Sequence, residues 1–340
     1  MRTPLFALLF AAGLFLPCAQ GEGEVQPLQR VGATPWKPFE HYTVARTDGS
    51  TIDLYVAKAP TPAPTVVVFG GSKCLPVVML AEQRTVSALM FFEHLAQESR
   101  RVNVVVVEKR GLKSFGPPPE SEAQALAWMQ SAFEKERLYL KETRVQDGVA
   151  VVQALRLDEA FRNVHLLGHS EGADVVSGVC KALEGEGVAS AALMAGAGPT
   201  RFFESAQKGR RDAGSEGAKA VFDQALRLAA AGTATELEDL QAVSYGMTSS
   251  PLDDLRGLKF PVFVAHGDRD QKVPIAAADV FVAELLRDPA RQLHYLMLPG
   301  TNHGFRDSTD QDRSGDLLAY YVDWVLAGSS GRSVRVGLPE

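Results

Sequence analysis

A serine hydroxyl is a weak nucleophile unless a base takes its proton, and the base in turn needs an acid to orient it. Residues of these three types stand in a suggestive order along the chain. Gly168-His169-Ser170-Glu171-Gly172 follows the apolar run Val164-His165-Leu166-Leu167 and precedes the helical run Ala173-Asp174-Val175-Val176. A strand that turns this sharply into a helix strains its central residue. Flanking glycines remove the clashes, and the Ser170 Oγ is presented at a helix N-terminus, ready to attack a carbonyl. An acid and a histidine stand further along the chain, each after a later apolar run. Pro261-Val262-Phe263-Val264-Ala265 leads into His266-Gly267-Asp268-Arg269-Asp270, and Leu293–Leu298 leads into Pro299-Gly300-Thr301-Asn302-His303. Asp268 and Asp270 are both candidate acids, and His303 is the candidate base.

The elements that must hold these residues follow from hydrophobic periodicity. Phe39–Arg46 and Thr51–Ala57 alternate in polarity around Thr47-Asp48-Gly49-Ser50, which predicts a hairpin. Thr65–Phe69, Val102–Val107 and Val164–Leu167 are nearly continuous apolar runs, as in strands buried on both faces. Val188–Ala195, Val262–Ala265 and Leu293–Leu298 complete about eight strands. Helices are expected near 80–99, 143–157, 171–184, 275–287 and 315–327. The alternation predicts an α/β fold, a mostly parallel twisted sheet with helices on both faces behind an antiparallel start. Residues 22–38 read as an extended lead-in. Residues 199–258 interrupt the alternation with helical pieces at Ala218–Ala231 and Thr235–Ala242 and a flexible stretch at Gly209–Gly217. They are too long for a plain loop and read as an inserted cap over the sheet edge.

Composition narrows the function classes. The 340 residues are 46% hydrophobic and 22% charged, with a formal net charge of -6. No basic run suggests nucleic acid. Charge says little else about partners, and oligomeric state is not legible. Arg2, the apolar run Leu5–Leu16, Pro17, and small residues at Ala19 and Gly21 read as a secretory signal peptide over residues 1–21. The run is too short for a stable membrane span. Lipid attachment at Cys18 is disfavoured by Pro17. The expected location is therefore secreted or periplasmic, with 22–340 forming one catalytic domain. Cys74 and Cys180 could pair in an oxidising compartment, but they are expected at different depths of the fold. No Cys/His cluster has zinc-ligand spacing, and attack by an activated serine needs no metal or organic cofactor, so none is expected. His41, His94, His165, His169, His266 and His294 are read as structural.

These segments resemble the α/β-hydrolase family, in particular its esterase, dienelactone-hydrolase-like and prolyl-oligopeptidase-like branches. The resemblance implies an α/β-hydrolase fold over nearly the whole exported chain. It selects Asp270, three residues after Gly267, as the acid, and leaves Asp268 to cap a turn. It implies that Ser170, Asp270 and His303 form the catalytic set. It also implies an oxyanion hole made by the Glu171 N–H and by a donor from Phe69-Gly70-Gly71-Ser72-Lys73-Cys74, either Gly71 or Ser72; Phe69 stands where many members have histidine. Lys109-Arg110-Gly111 resembles an architectural segment of the family. The implied activity is hydrolysis of a carboxylic ester or related acyl compound, with a small-molecule acyl substrate as partner. A peptidase with the same machinery is the alternative. Glu204, Glu236 or Glu238 could then hold a substrate amine, although acids on an exposed helix are ordinarily solvated. The alternative of another class is a binding protein on a degenerate hydrolase fold.

Overall fold

The computed structural model describes residues 25–339, except 73–74, 82–83, 88, 119, 122, 125–126, 128–139, 232–236 and 249. The expected signal peptide and Cys74 lie outside the described residues. A ten-stranded sheet dominates, in the order β1-β2-β3-β7-β4-β8-β9-β10-β11-β12. Its strands are β1 (Gln29–Ala33), β2 (Glu40–Ala45), β3 (Thr51–Ala57), β4 (Pro64–Phe69), β7 (Asn103–Val107), β8 (Arg162–His169), β9 (Val188–Met194), β10 (Val262–Gly267), β11 (Leu293–Leu298) and β12 (Arg332–Val336). β1, β2 and β3 are joined antiparallel, β3 pairs antiparallel with β7, and every pairing from β7 to β12 is parallel.

The period-2 geometry of a strand sends alternate side chains to opposite faces. Val67, Val105, Leu166, Val264 and Tyr295 enter one core, packed by α2 (Lys141–Leu155), α3 (Glu171–Ala182) and α7 (Ile275–Leu285). Val66, Val68, Val104, Val106, Leu167, Phe263 and Leu296 enter the other, packed by α1 (Phe92–Glu98) and α8 (Ser314–Leu326). With both faces covered, the parallel strands inside the β12 edge have no solvent-facing side, which is why their sequences run nearly continuously apolar.

Three expectations are corrected. The sheet has ten strands rather than about eight. β1 and β12 are its edges, and their side chains are mostly exposed, so no apolar alternation marks them. The expected helix over 80–99 is only α1. Before it, β5 (Met79–Ala81) and β6 (Arg84–Val86) form a small antiparallel pair. Backbone bonds from Leu80 to Gly116 (2.8 Å) and from Phe115 to Val78 (2.7 Å) hold this stretch extended. Gly209–Gly217 is helical rather than flexible. It belongs to α4 (Arg201–Ala231), which kinks where Gly214 takes φ 62°. Gly209 and Gly217 face each other across the kink so closely that a Cβ on either would enter the other's backbone.

The rest of the 199–258 excursion is α5 (Leu237–Gly246) and α6 (Pro251–Leu255). α6 is fastened to the helical layer. Asp254 accepts from Lys141 Nζ (2.8 Å) and Ser177 Oγ (3.2 Å), and Leu252 and Leu255 join the core. Arg110 supports the same side of the fold. It shares buried Asp147 with Arg46, which ties the β2–β3 hairpin to α2. Cys180 is a free, fully buried thiol on α3. Among the described residues, no helix is long and apolar enough to cross a membrane.

Candidate active site

The sheet order itself creates a crevice. From β4 the chain moves outward to β7, whereas from neighbouring β8 it moves the opposite way to β9. The loops leaving these two adjacent strands diverge, and ligands of open α/β sheets bind at such a switch point, at the carboxyl ends of the strands. Gly70 and Gly71 leave β4 there, and Ser170 leaves β8 beside them.

Ser170 is the single residue between β8 and α3. It adopts φ 56° and ψ −128°, a conformation that costs a non-glycine residue about 1–3 kcal/mol. Its neighbours explain how the turn survives. A Cβ on Gly168 would enter the Gly172 backbone, and one on Gly172 would enter the Phe69 carbonyl. A Cβ on Gly196, just after β9, would overlap the Ser170 carbonyl. Gly196 was invisible to motif reasoning because it lies in a different loop. The Ser170 N–H donates to the Met194 carbonyl (2.8 Å) and pins the turn to β9.

His303 is half-buried between the two other expected partners. Its Nε2 lies 3.0 Å from Ser170 Oγ and its Nδ1 lies 2.7 Å from Asp270 Oδ2. Burial alone would raise the Asp270 carboxyl. Hydrogen bonds from His266 and His303 outweigh it and hold the group well below the usual carboxylate range. Lys272 N–H (2.8 Å) and Val273 N–H (2.9 Å) also donate to Asp270 Oδ1. An ionised Asp270 can only accept, so His303 Nδ1 carries the proton and Nε2 turns its lone pair toward the Ser170 hydroxyl. Asp268 is engaged elsewhere: its Oδ1 accepts from Gly300 N–H (2.6 Å) and ties the β10 loop to the β11 turn.

Two further histidines and an asparagine shape the site without joining the Ser170–His303–Asp270 hydrogen-bond line. His169 Nε2 lies 3.0 Å from the His303 carbonyl. Burial lowers its pKa to about 3, so it is neutral and donates there. His266 Nε2 lies 2.8 Å from the Val273 carbonyl. Asn302 Oδ1 accepts from the Gly304 and Arg306 N–H groups (2.9 and 3.1 Å) and folds the loop that carries His303. His165, His294 and His41 lie away from this cluster and bond to Ser190, Tyr320 and Asp53 respectively.

On the other side of Ser170 lies the glycine loop. A Cβ on Gly71 would stand 3.2 Å from the Ser170 Cβ and 3.6 Å from its Oγ, so only glycine leaves a substrate room there. Arg144 of α2 donates from Nη1 to Glu171 Oε1 (2.8 Å) and from Nη2 to the Gly70 carbonyl (2.6 Å). In a trans peptide the carbonyl and the next N–H point in opposite directions. With the Gly70 carbonyl fixed toward Arg144, the Gly71 N–H faces away from Arg144. The Glu171 N–H is among the first donors of α3, which no helical carbonyl can satisfy. The exposed Ser72 also lines the cavity.

That cavity, of about 840 Å³, opens over Ser170 and His303 between the glycine loop, the start of α4 and the loops after β10 and β11. Arg201 and Glu204 of α4 reach it. Arg201 lies 3.5 Å from Glu171 Oε2 and 3.3 Å from Asp174 Oδ2. Glu204 was expected to be solvated and is instead buried against the cavity. The reason is that α4 lays its first turns over the sheet edge rather than projecting into water. Burial, reinforced by nearby Asp174 and opposed by Arg201, pushes the Glu204 carboxyl up to about 8. The side chains of Glu236 and Glu238 lie outside the described residues. Among the described residues no group of three or more His, Cys, Asp or Glu is arranged to hold a metal ion.

Residues 222–328 match the prolyl oligopeptidase family. The matched segment carries Asp270 and His303, covers less than half of the chain, and begins after Ser170. No curated protein sequence matches the chain. Among solved structures, the uncomplexed acylaminoacyl peptidase of Pyrococcus horikoshii is similar at 16% identity and a TM-score of 0.56, covering 87% of this chain and 42% of that one. A puromycin-hydrolyzing peptidase of Mycobacterium tuberculosis is similar at 18% identity and a TM-score of 0.54, covering 89% and 41%. The Pyrococcus furiosus esterase PF2001 is similar at 14% identity and a TM-score of 0.51, covering 89% of this chain and 96% of that one. The chain thus spans about two-fifths of these peptidases but nearly the whole length of the esterase. By its sheet order and by these likenesses, the chain has the α/β-hydrolase fold.

Proposed function

We propose that this chain is a serine hydrolase that cleaves a carboxylic ester or related acyl bond through an acyl-enzyme on Ser170. The observation that carries this reading is the line from Ser170 Oγ through His303 (3.0 Å) to Asp270 (2.7 Å) at the floor of the cavity. In the first step Ser170 Oγ bonds to the substrate carbonyl carbon while its proton passes to His303 Nε2. Asp270 stabilises the imidazolium. The carbonyl oxygen takes up negative charge and is met by the Glu171 N–H and by the N–H of Gly71 or Ser72. The carbon–oxygen bond to the leaving alcohol then breaks, and His303 returns the proton to it. Water, deprotonated by His303, attacks the acyl-enzyme and releases the acid and free Ser170. Labelling by a serine-directed fluorophosphonate tests the assignment. The intact chain should label and Ser170→Ala should not; an intact, folded chain that fails to label would end the enzyme reading.

A second reading keeps the machinery and changes the bond to a peptide or aminoacyl amide. The prolyl oligopeptidase match and the cavity-facing Glu204 favour it. The likeness to the Pyrococcus furiosus esterase over 96% of that chain favours the ester. A chromogenic panel of esters, thioesters, lactones and aminoacyl amides separates them, and hydrolysis confined to aminoacyl amides would overturn the ester preference. We further propose that residues 199–258 act as the cap that shapes the substrate site, and that residues 1–21 direct export, with removal of the peptide near Gly21. N-terminal sequencing of the protein recovered outside the cytoplasm should begin close to Glu22.

A further inference from the structure

The mouth of the cavity has a charge character opposite to that of the chain. The protein carries a formal net charge of -6, yet Lys208, Arg269 and Lys272 stand together on one side of the opening. Two structural features bring them there. On α4, Arg201, Glu204 and Lys208 recur at helical spacing and all line the cavity. One turn after Lys208, Arg211 Nη1 donates to the Gln271 carbonyl (3.0 Å) and holds α4 against the loop that carries Arg269 and Lys272. All three cations are exposed, and among the described residues none has a carboxylate within ion-pair distance. The nearby acids are already engaged: Asp268 with Gly300 N–H, Asp270 with His303, Asp212 with Arg211, and the cavity-lining Asp307 with the Thr309 and Gln311 N–H groups. Glu204, deeper in the cavity, is held largely neutral by its burial and adds little opposing charge.

Three unpaired cations at the rim of a concave, partly apolar cavity focus positive potential into it and attract anions. We propose that Lys208, Arg269 and Lys272 form an anion-recognising rim, and that the preferred substrate is an acyl compound bearing a carboxylate or similar anionic group away from the scissile bond. This names the substrate class of the Ser170 site and rests on the hydrolase reading. The anion could lie on the acyl portion or on the leaving group, which share the same recognition chemistry.

Matched probes test it. Two fluorophosphonates that differ only in a terminal carboxylate or carboxamide are compared by their second-order rate constants for labelling Ser170. The comparison covers the intact chain and the K208E/R269E/K272E variant, at low salt and at high salt. The intact chain should favour the carboxylate probe by at least tenfold at low salt. The preference should collapse in the variant and shrink with added salt, because exposed charges are screened over about 8 Å at physiological ionic strength. Arg100→Glu, at the opposite end of the parallel strands, should keep the preference. If the charge-reversed chain fails to fold, K208Q/R269Q/K272Q replaces it. Mono-4-nitrophenyl succinate against 4-nitrophenyl butyrate then reads an acyl-side anion, and 4-carboxyphenyl acetate against 4-carbamoylphenyl acetate reads a leaving-group anion. Equal labelling by both probes in the intact chain overturns this inference alone. No labelling by either probe overturns the hydrolase reading beneath it.

Discussion

Arg144 joins the two halves of the expected oxyanion site, and its removal separates folding from rate. It is buried, as is its partner Glu171, with side-chain exposures of 8% and 7%. Arg144→Met keeps the aliphatic bulk, leaves Glu171 with Arg201 at 3.5 Å as its one side-chain partner among the described residues, and removes the Arg144 bond to the Gly70 carbonyl. Breaking a buried pair from one side costs about 3–5 kcal/mol, a large share of the roughly 5–15 kcal/mol that holds a typical domain. In Arg144→Met/Glu171→Gln no charge is stranded. The cost should then fall to about 1–3 kcal/mol for unmet polar groups. The rate should not recover in step. Deleting an oxyanion donor lowers kcat by about 10²–10³-fold, so a Gly71 N–H released from its fixed orientation should lose about 10–100-fold. Urea unfolding midpoints and steady-state kinetics on a nitrophenyl ester read the two effects. The double variant should regain stability while kcat stays low and KM changes little. Recovery of kcat together with stability would refute the reasoning and reduce Arg144 to a folding residue.

Glu204→Gln should change how stability depends on pH. Below the ordinary value of 4.5 the carboxyl is protonated in both folded and unfolded chains; from there to about 8 only the unfolded chain has released its proton, so the native protein loses stability as pH rises. The Gln variant lacks this decline, and the gap in its favour should widen from pH 4.5 to 8; parallel melting curves would count against the burial argument. Asp254→Ala takes a carboxylate partner from the buried Lys141, 3% exposed, and should cost about 3–5 kcal/mol in urea unfolding while the folded fraction still labels with fluorophosphonate. Gly196→Ala presses a methyl group into the Ser170 carbonyl, and should cost about 1–3 kcal/mol with a marked loss of labelling rate; unchanged labelling would show that the turn tolerates displacement.

The parallel core was legible because burial on both faces forces unbroken apolar runs, as in Thr65–Phe69 and Val164–Leu167. The edges were not, because β1 and β12 are recognised by backbone pairing and their side chains meet water. Ser170 and His303 could be named as candidates from the turns that end their strands, whereas the choice of Asp270 over Asp268 needed the family resemblance. What surrounds them could not. Arg144 reaches Gly70 and Glu171 from a separate helix, and Gly196 presses on Ser170 from the end of β9. Glu204 looked like an ordinary surface acid because nothing local records that α4 folds its first turn over the cavity. Gly209 and Gly217 looked flexible for a related reason: a glycine pair reads the same whether it loosens a loop or lets two helical segments touch.

The most direct test of Ser170 as nucleophile is mass spectrometry of the chain quenched in acid during turnover of a slowly deacylating aryl ester. The peptide containing Ser170 should gain the mass of the acyl group. The same peptide from Ser170→Ala should gain nothing. Turnover with no acyl group on Ser170, or with the group on another residue, would contradict the account.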